Sequence, residues 1–282
     1  MFISVSTHIF VYHDFTEEFI DILEESGVTS VEIFAVNPHF PYRDKKYVDR
    51  ILQSFRNKKI TIQSVHFPLY FHIDDIKKNR WLSLSSEDEE LRLSSIRETI
   101  AASKILDPDT GGILVVHPSI PGGDIGGKRT FLFIDSMWRL IEKLPDNVKI
   151  AIENTTSPSG TALKTVELAR SFPEERVGVC NDIGHANVIE SPAYALVTTN
   201  SRLVNIHVSD NAGDSDDHLP PGDGGVNWNR IIQTLKELDY RGPLTLEIRD
   251  PLRGEGSDPA LLKNLIDTSV EYLQGIIEEK KR

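Results

Sequence analysis

The residues best suited to chemistry stand at the ends of short apolar runs. The clearest case is Val177-Gly-Val-Cys-Asn-Asp-Ile-Gly-His185. Its apolar body, Val177, Val179 and Cys180, runs into Asp182 and His185, with Gly184 expected to supply a tight turn between them. An acid and an imidazole so placed suit metal binding or proton transfer; they suit equally well a helix-capping Asp beside a surface His. Repetition weighs between the two. His66 closes the run from Ile60, His117 the run from Ile113, Glu153 the run from Val148, His207 the run from Leu203, and Glu247 the run from Leu244. Titratable groups at the ends of buried strands are costly if unpaired, and coordination of a divalent cation satisfies them together. Asp216-Asp-His218-Leu-Pro-Pro-Gly-Asp-Gly224 adds Asp216 and His218 on one side of a stiffened segment, or else forms a solvated acidic loop. Arg249 can meet a phosphate or carboxylate of a substrate, or pair with Asp250 or Glu255.

The elements that must position these residues alternate. Strands are expected at Ile3 to Ser6, Ser30 to Phe34, Ile60 to His66, Ile113 to His117, Val148 to Glu153, Val177 to Asp182, Leu203 to His207 and Leu244 to Glu247. Helices fill the gaps. Asp14 with Glu17 is read as the cap of the first, and Ser86 with Glu89 as a capping box for a long one reaching about Ile105. The last helix starts from Pro259 and shows Leu262, Leu265, Ile266, Leu273, Ile276 and Ile277 on one face. Eight strands and about eight helices in strict alternation predict a (β/α)8 TIM barrel. A doubly wound sheet would gather functional residues at one or two switch points, whereas here polar residues end nearly every strand. No linker or short repeat divides the chain, so residues 1–282 are read as a single TIM-barrel domain.

Composition narrows the class. A net charge of -12 disfavours nucleic acid as a partner, since phosphates call for a basic surface. The single cysteine, Cys180, forbids an intramolecular disulfide and is read as an inert buried thiol in a cytoplasmic protein. Met1 to Phe15 shows neither a basic n-region nor a long apolar stretch, and no run approaches the roughly 20 residues of a membrane span, so neither signal peptide nor membrane association is expected. Phe67, Tyr70 and Trp81 either stack on a sugar face or form an aromatic cluster beneath the loop from Phe67 to Leu84; Glu32 either lines the pocket or pairs with a lysine. His8, His13, His39 and His72 have no evident partner.

The motifs Ser64-Val-His-Phe-Pro68, Val116-His-Pro118, Ile152-Glu-Asn154, Asn181-Asp-Ile-Gly-His185, Asn205-Ile-His-Val-Ser-Asp210, Asp216-Asp-His218-Leu-Pro-Pro-Gly-Asp-Gly224 and Leu246-Glu247 resemble those of the xylose isomerase-like TIM barrel superfamily. They cover strands three to eight. That superfamily joins sugar isomerases and epimerases to apurinic endonucleases of the endonuclease-four type. In the first branch, the resemblance implies one divalent ion (Zn, Mn, Mg or Co) held by Glu153, Asp182, His207 and Glu247. Glu153 and Glu247 would exchange a substrate proton through an enediolate, and His185 would touch a small sugar or sugar phosphate. In the second branch, it implies three zinc ions: one on His66, His117 and Glu153, one on Glu153, Asp182, His207 and Glu247, and one on His185, Asp216 and His218. Departures favour the first. The endonucleases' Asp-Thr-Cys-His reads Asp182-Ile-Gly-His185 here, their Pro-Gly-Ser-His style reads Pro118-Ser-Ile-Pro121, and the loop before Gly224 is acidic. The expected function is therefore a metal-dependent sugar or sugar-phosphate isomerase or epimerase. The alternatives are a trinuclear-zinc phosphodiester hydrolase and a polyol or keto-inositol dehydratase. A homo-oligomer is compatible with all three.

Overall fold

The structure is a computed structural model that describes residues 1–279. Eight parallel strands, β1 (Phe2–Ser6), β2 (Ser30–Phe34), β3 (Thr61–His66), β4 (Gly112–Val116), β5 (Val148–Glu153), β6 (Val177–Asp182), β7 (Leu203–Val208) and β8 (Pro243–Leu246), close into a barrel in sequence order. Closure is made where β1 pairs with β8, Phe2 opposite Pro243 and Val5 opposite Leu246. The connections hold α1 (Glu17–Glu25), α2 (Lys45–Asn57), α3 (Glu89–Ser103), α4 (Lys128–Lys143), α5 (Ala162–Ala169), α6 (Ile183–Ile189), α7 (Pro192–Thr199) and α8 (Trp228–Glu237), and α9 (Pro259–Glu278) follows β8. The expected (β/α)8 TIM barrel is the fold observed. No described helix is long and apolar enough to cross a membrane.

Period-two alternation explains how the strands divide their side chains. One set, including Val31, Ile33, Val65, Leu114, Val116, Ile150, Ile152, Val179, Ile206 and Leu246, joins the large core shared with the helices. The other set points into the barrel, and much of it is polar. Ser30 donates to Ser4 at 3.2 Å, Ser64 to Glu32 at 2.7 Å, and Thr245 to Asn205 at 2.9 Å. Val115, Ala151 and Cys180 form a small separate apolar cluster. The residues one step further along these inward faces are His66, His117, Glu153, Asp182, His207 and Glu247. The barrel thus offers its inward positions at the C-terminal mouth, where TIM-barrel sites lie.

Several local expectations are corrected. Thr16, not Asp14, occupies the N-cap of α1 and makes no side-chain cap bond. Asp88 caps α3 by accepting from the Leu91 N–H, while Ser86 accepts from the Asp88 N–H. In both places a polar residue closer to the helix takes the cap position. Two helices, not one, follow β6, making nine α-helices among the described residues. Gly184 is not a turn residue but lies in the first turn of α6. A Cβ there would come within 2.4 Å of Ser209 Oγ, so close packing accounts for the glycine. Glu32 pairs with no lysine: it is fully buried and lies 3.2 Å from His207 Nε2.

Candidate active site

Glu153 is the hub of the mouth. Its Oε2 lies 3.0 Å from His117 Nε2 and 3.3 Å from His66 Nε2, and these two imidazole nitrogens are 3.2 Å apart. Its Oε1 lies 3.1 Å from His207 Nδ1. That nitrogen also faces Glu247 Oε2 at 2.8 Å and Asp182 Oδ2 at 3.8 Å. A third group forms at the rim, where Asp216 Oδ2 lies 3.2 Å from both His185 Nε2 and His218 Nε2. The Asp182/His207 pairing of β6 with β7 and the exit of β5 at Glu153 bring the first two groups together.

The surroundings fix the orientation of each donor. His66 Nδ1 donates to the Phe67 carbonyl at 2.9 Å, His185 Nδ1 to Asn154 O at 2.8 Å and His218 Nδ1 to Glu247 O at 2.9 Å. With Nδ1 so engaged, each Nε2 faces inward, carrying a proton toward an acceptor such as Asp216 or, once that proton is lost, a lone pair toward a cation. Asn154 accepts from the Asp182 N–H at 2.6 Å and donates to its carbonyl at 3.0 Å, locking β6 to β5. Asp182 Oδ1 caps α6 through the His185 N–H at 2.6 Å. Asp182 therefore serves both readings of its spacing, one oxygen on the helix and the other on the cavity side. His218 holds a left-handed backbone, φ 50°, uncommon for a non-glycine residue and frequent at constrained sites.

Charge balance makes the cluster unusual. Burial raises the Asp182 carboxyl to about 6. Burial acts on Glu153 in the same sense, but His207 and His117 overcome it and hold that carboxylate well below its usual range. His218 is likewise desolvated, yet Asp216 lifts it to about 9. Burial pushes His117 down. Asp182 Oδ2, His117 Nδ1 and Asp216 Oδ1 are buried with no hydrogen-bond partner. A buried oxygen or nitrogen without a partner is expensive, and a cation removes that cost for an acceptor. Glu153, Asp182, His207 and Glu247 each offer a ligand atom within 4.8 Å of the others, as do His66, His117 and Glu153, and as do His185, Asp216 and His218. Mixed carboxylate and imidazole donors suit Zn, Mn or Co. These residues fit a divalent ion.

Eight of the ten expected site residues line one cavity of about 250 Å³: His66, His117, Glu153, His185, Asp216, His218, Glu247 and Arg249. Asp182 and His207 are fully buried behind it, His207 against both Glu153 and Asp182. Tyr70 and Trp81 join the lining, edge to face at 5.8 Å. Phe67 is instead buried against the His66 ring. Sequence reasoning missed one neighbour. His8 lines the cavity two residues after β1, its Nδ1 3.2 Å from Ile248 O, with burial holding it down at about 3. Its position just past a strand end was the available signal. Glu32, read as lining the pocket or pairing with a lysine, instead backs His207 from beneath the cavity. His39 and His72 serve structure: His39 contacts Thr7 Oγ1 at 3.1 Å, and His72 caps a short 3-10 helix at Ile73–Lys78.

Fold and site together define a parallel (β/α)8 barrel with histidines and carboxylates gathered at its C-terminal mouth. The family model described as xylose isomerase-like TIM barrel matches residues 20–271, and the chain belongs to that family. It is 25% identical to an uncharacterized protein of Methanocaldococcus jannaschii over 71% of this chain and 69% of that one. A probable ketose 3-epimerase of Synechocystis is 26% identical over 60% of this chain and 61% of its own, so the chain spans less than two thirds of that relative. Among solved structures, the IOLI protein with a bound zinc atom superposes with a TM-score of 0.78 at 16% identity, covering 98% of each chain. A D-psicose 3-epimerase from Clostridium cellulolyticum, solved with D-tagatose, gives 0.74 at 15% identity over 99% of this chain and 100% of that one. At such identities these two structures speak for the fold.

Proposed function

We propose that this protein is a metal-dependent sugar isomerase or epimerase. The observation that carries the reading is the convergence of Glu153 and Glu247 on His207 Nδ1, at 3.1 and 2.8 Å, beside the unpartnered Oδ2 of Asp182. Relatives named inosose isomerase and probable ketose 3-epimerase support it. Glu153, Asp182, His207 and Glu247 would hold the ion. When bound, a divalent cation supplies positive charge against the negative charge that develops on substrate oxygens, an effect of several kcal/mol. The protein's own groups handle the proton. One of Glu153 and Glu247 takes it from the carbon next to the carbonyl, leaving an enediolate, and the other returns a proton to the opposite face. His185 and His218 are set to donate to substrate hydroxyls, Tyr70 and Trp81 to cover a sugar face, and the narrow cavity to limit water. The carboxylate oxygens of Glu153 and Glu247 come within 4.8 Å of one another, so both reach one small substrate.

A second reading, a trinuclear-zinc phosphodiester hydrolase, is favoured by the two further triads, His66/His117/Glu153 and His185/Asp216/His218. One experiment separates them. The purified protein, stripped of metal and reloaded, is offered ketoses, ketose phosphates and an abasic DNA duplex, with bound metal counted per chain. The proposal expects one essential ion and a new sugar isomer formed only by the reloaded protein. Three zinc ions with cleavage of the duplex and no sugar product would overturn it.

A further inference from the structure

The cavity carries cations as well as acids: Arg249 and Arg253 both line it. Of the two acids near Arg249 in sequence, Glu255 makes no ion pair with it, and Asp250 is buried and engaged by its own loop. It accepts from the Leu252 N–H at 2.9 Å, the Gly254 N–H at 2.7 Å and the Ser257 hydroxyl at 2.6 Å. Some arginines find acids, as Arg43 does on Glu98 and Arg176 on Asp146. Among the described residues, Arg249 and Arg253 have neither an ion pair nor a side-chain hydrogen bond, in a chain whose net charge is -12. Their backbone is nevertheless fixed. The Arg249 N–H donates to His218 O at 2.9 Å. Arg253 sits at φ 51° in the turn that Asp250 ties, and a Cβ on Gly254 would come within 2.9 Å of Tyr12 Cβ. Arg249 shares the cavity wall with His8, Tyr70 and His218. An unpaired guanidinium on the wall of a polar cavity, Arg249 half-buried and Arg253 exposed, is suited to an oxyanion.

We propose that Arg249 and Arg253 form an oxyanion subsite of this cavity, so that the substrate is a monosaccharide-sized sugar bearing a phosphate or carboxylate away from the reacting carbon. The inference rests on the isomerase reading and narrows its substrate class. The cavity of about 250 Å³ matches one small molecule rather than a polymer.

The test compares kcat/KM for neutral ketoses, their terminal phosphates and keto-sugar acids of equal carbon number. One anionic class should exceed its neutral parent by about tenfold or more, the scale of a single charge-assisted hydrogen bond. Which class does so tells phosphate from carboxylate. That preference should fall by about the same factor in Arg249→Met and in Arg253→Asn, and Arg249→Lys should keep part of it. Asparagine is chosen at 253 because it tolerates a positive φ. As an independent arm, inorganic phosphate should raise the thermal midpoint of the wild type more than that of Arg253→Asn. Equal kcat/KM for charged and neutral sugars would overturn the subsite and leave the isomerase reading standing. If no sugar reacts, that reading fails, and the phosphate arm still decides: equal stabilisation of both proteins, or of neither, overturns the subsite.

Discussion

Each acidic or imidazole group at the mouth is legible by type, but its partner is not. His66, His117, Glu153, Asp182, His207 and Glu247 stand out because a titratable residue ends an apolar run. Glu32 is legible only as a lone acid on a strand, because the atom that explains it, His207 Nε2, lies 175 residues away in sequence. The arrangement gives a graded expectation. Asp182→Ala removes an unpartnered buried oxygen from the set of four donors, and metal analysis should find the ion lost; full occupancy would refute the assignment. Glu32→Gln leaves all four donors in place and removes only the carboxylate behind His207, so affinity should fall by about 10- to 100-fold without abolishing binding. A titration in which Glu32→Gln binds as the wild type does would show that His207 is oriented by other contacts.

The strands were legible to within a residue or so because inward and outward faces alternate between polar and apolar. Helix starts were less so. Thr16 and Asp88 displace Asp14 and Ser86 at the caps, since capping depends on where the backbone leaves the extended state, which tertiary packing decides. Gly184 shows the same limit. A glycine between Asp182 and His185 reads as a turn, whereas its real constraint is the Ser209 hydroxyl on the next strand's exit. Gly184→Ala should therefore destabilise by roughly 1–3 kcal/mol, the usual range for overpacking. Ser209 Oγ makes no hydrogen bond, so Gly184→Ala combined with Ser209→Ala should recover part of the loss. Urea denaturation of the two variants checks this, and additive losses would contradict it.

At the scale of the molecule, the alternation of eight strands with helices makes the barrel legible, while the interior below the site is not. Ser4, Ser30, Glu32, Ser64, Asn205 and Thr245 form buried polar layers that a purely apolar core would not predict. The barrel also buries His39 completely, against Phe15 and Thr7. Burial lowers it to about 4, opposed by its bonds to the His13 and Phe10 carbonyls and aided by the nearby His13 side chain. The folded form thus refuses a proton that the unfolded chain accepts below about 6.5. Stability from this group is complete above that pH and declines as pH falls toward 4, by roughly 3 kcal/mol in total. Unfolding free energies of wild type and His39→Gln, followed from pH 7 to 4.5, should show the steeper fall in the wild type. Parallel curves would mean that His39 contributes nothing to acid sensitivity.

The central claim is that Glu153 and Glu247 exchange a proton at a substrate carbon. It is tested most directly by deuterium incorporation at the α-carbon of ketoses and ketose phosphates in deuterated water. Wild-type protein loaded with metal should wash deuterium into one of these sugars. Glu247→Gln should lower that rate by about 10²- to 10⁴-fold, the loss expected for a missing general acid or base. Isomer formation without any solvent deuterium, or wash-in undiminished in Glu247→Gln with its metal retained, would contradict the account.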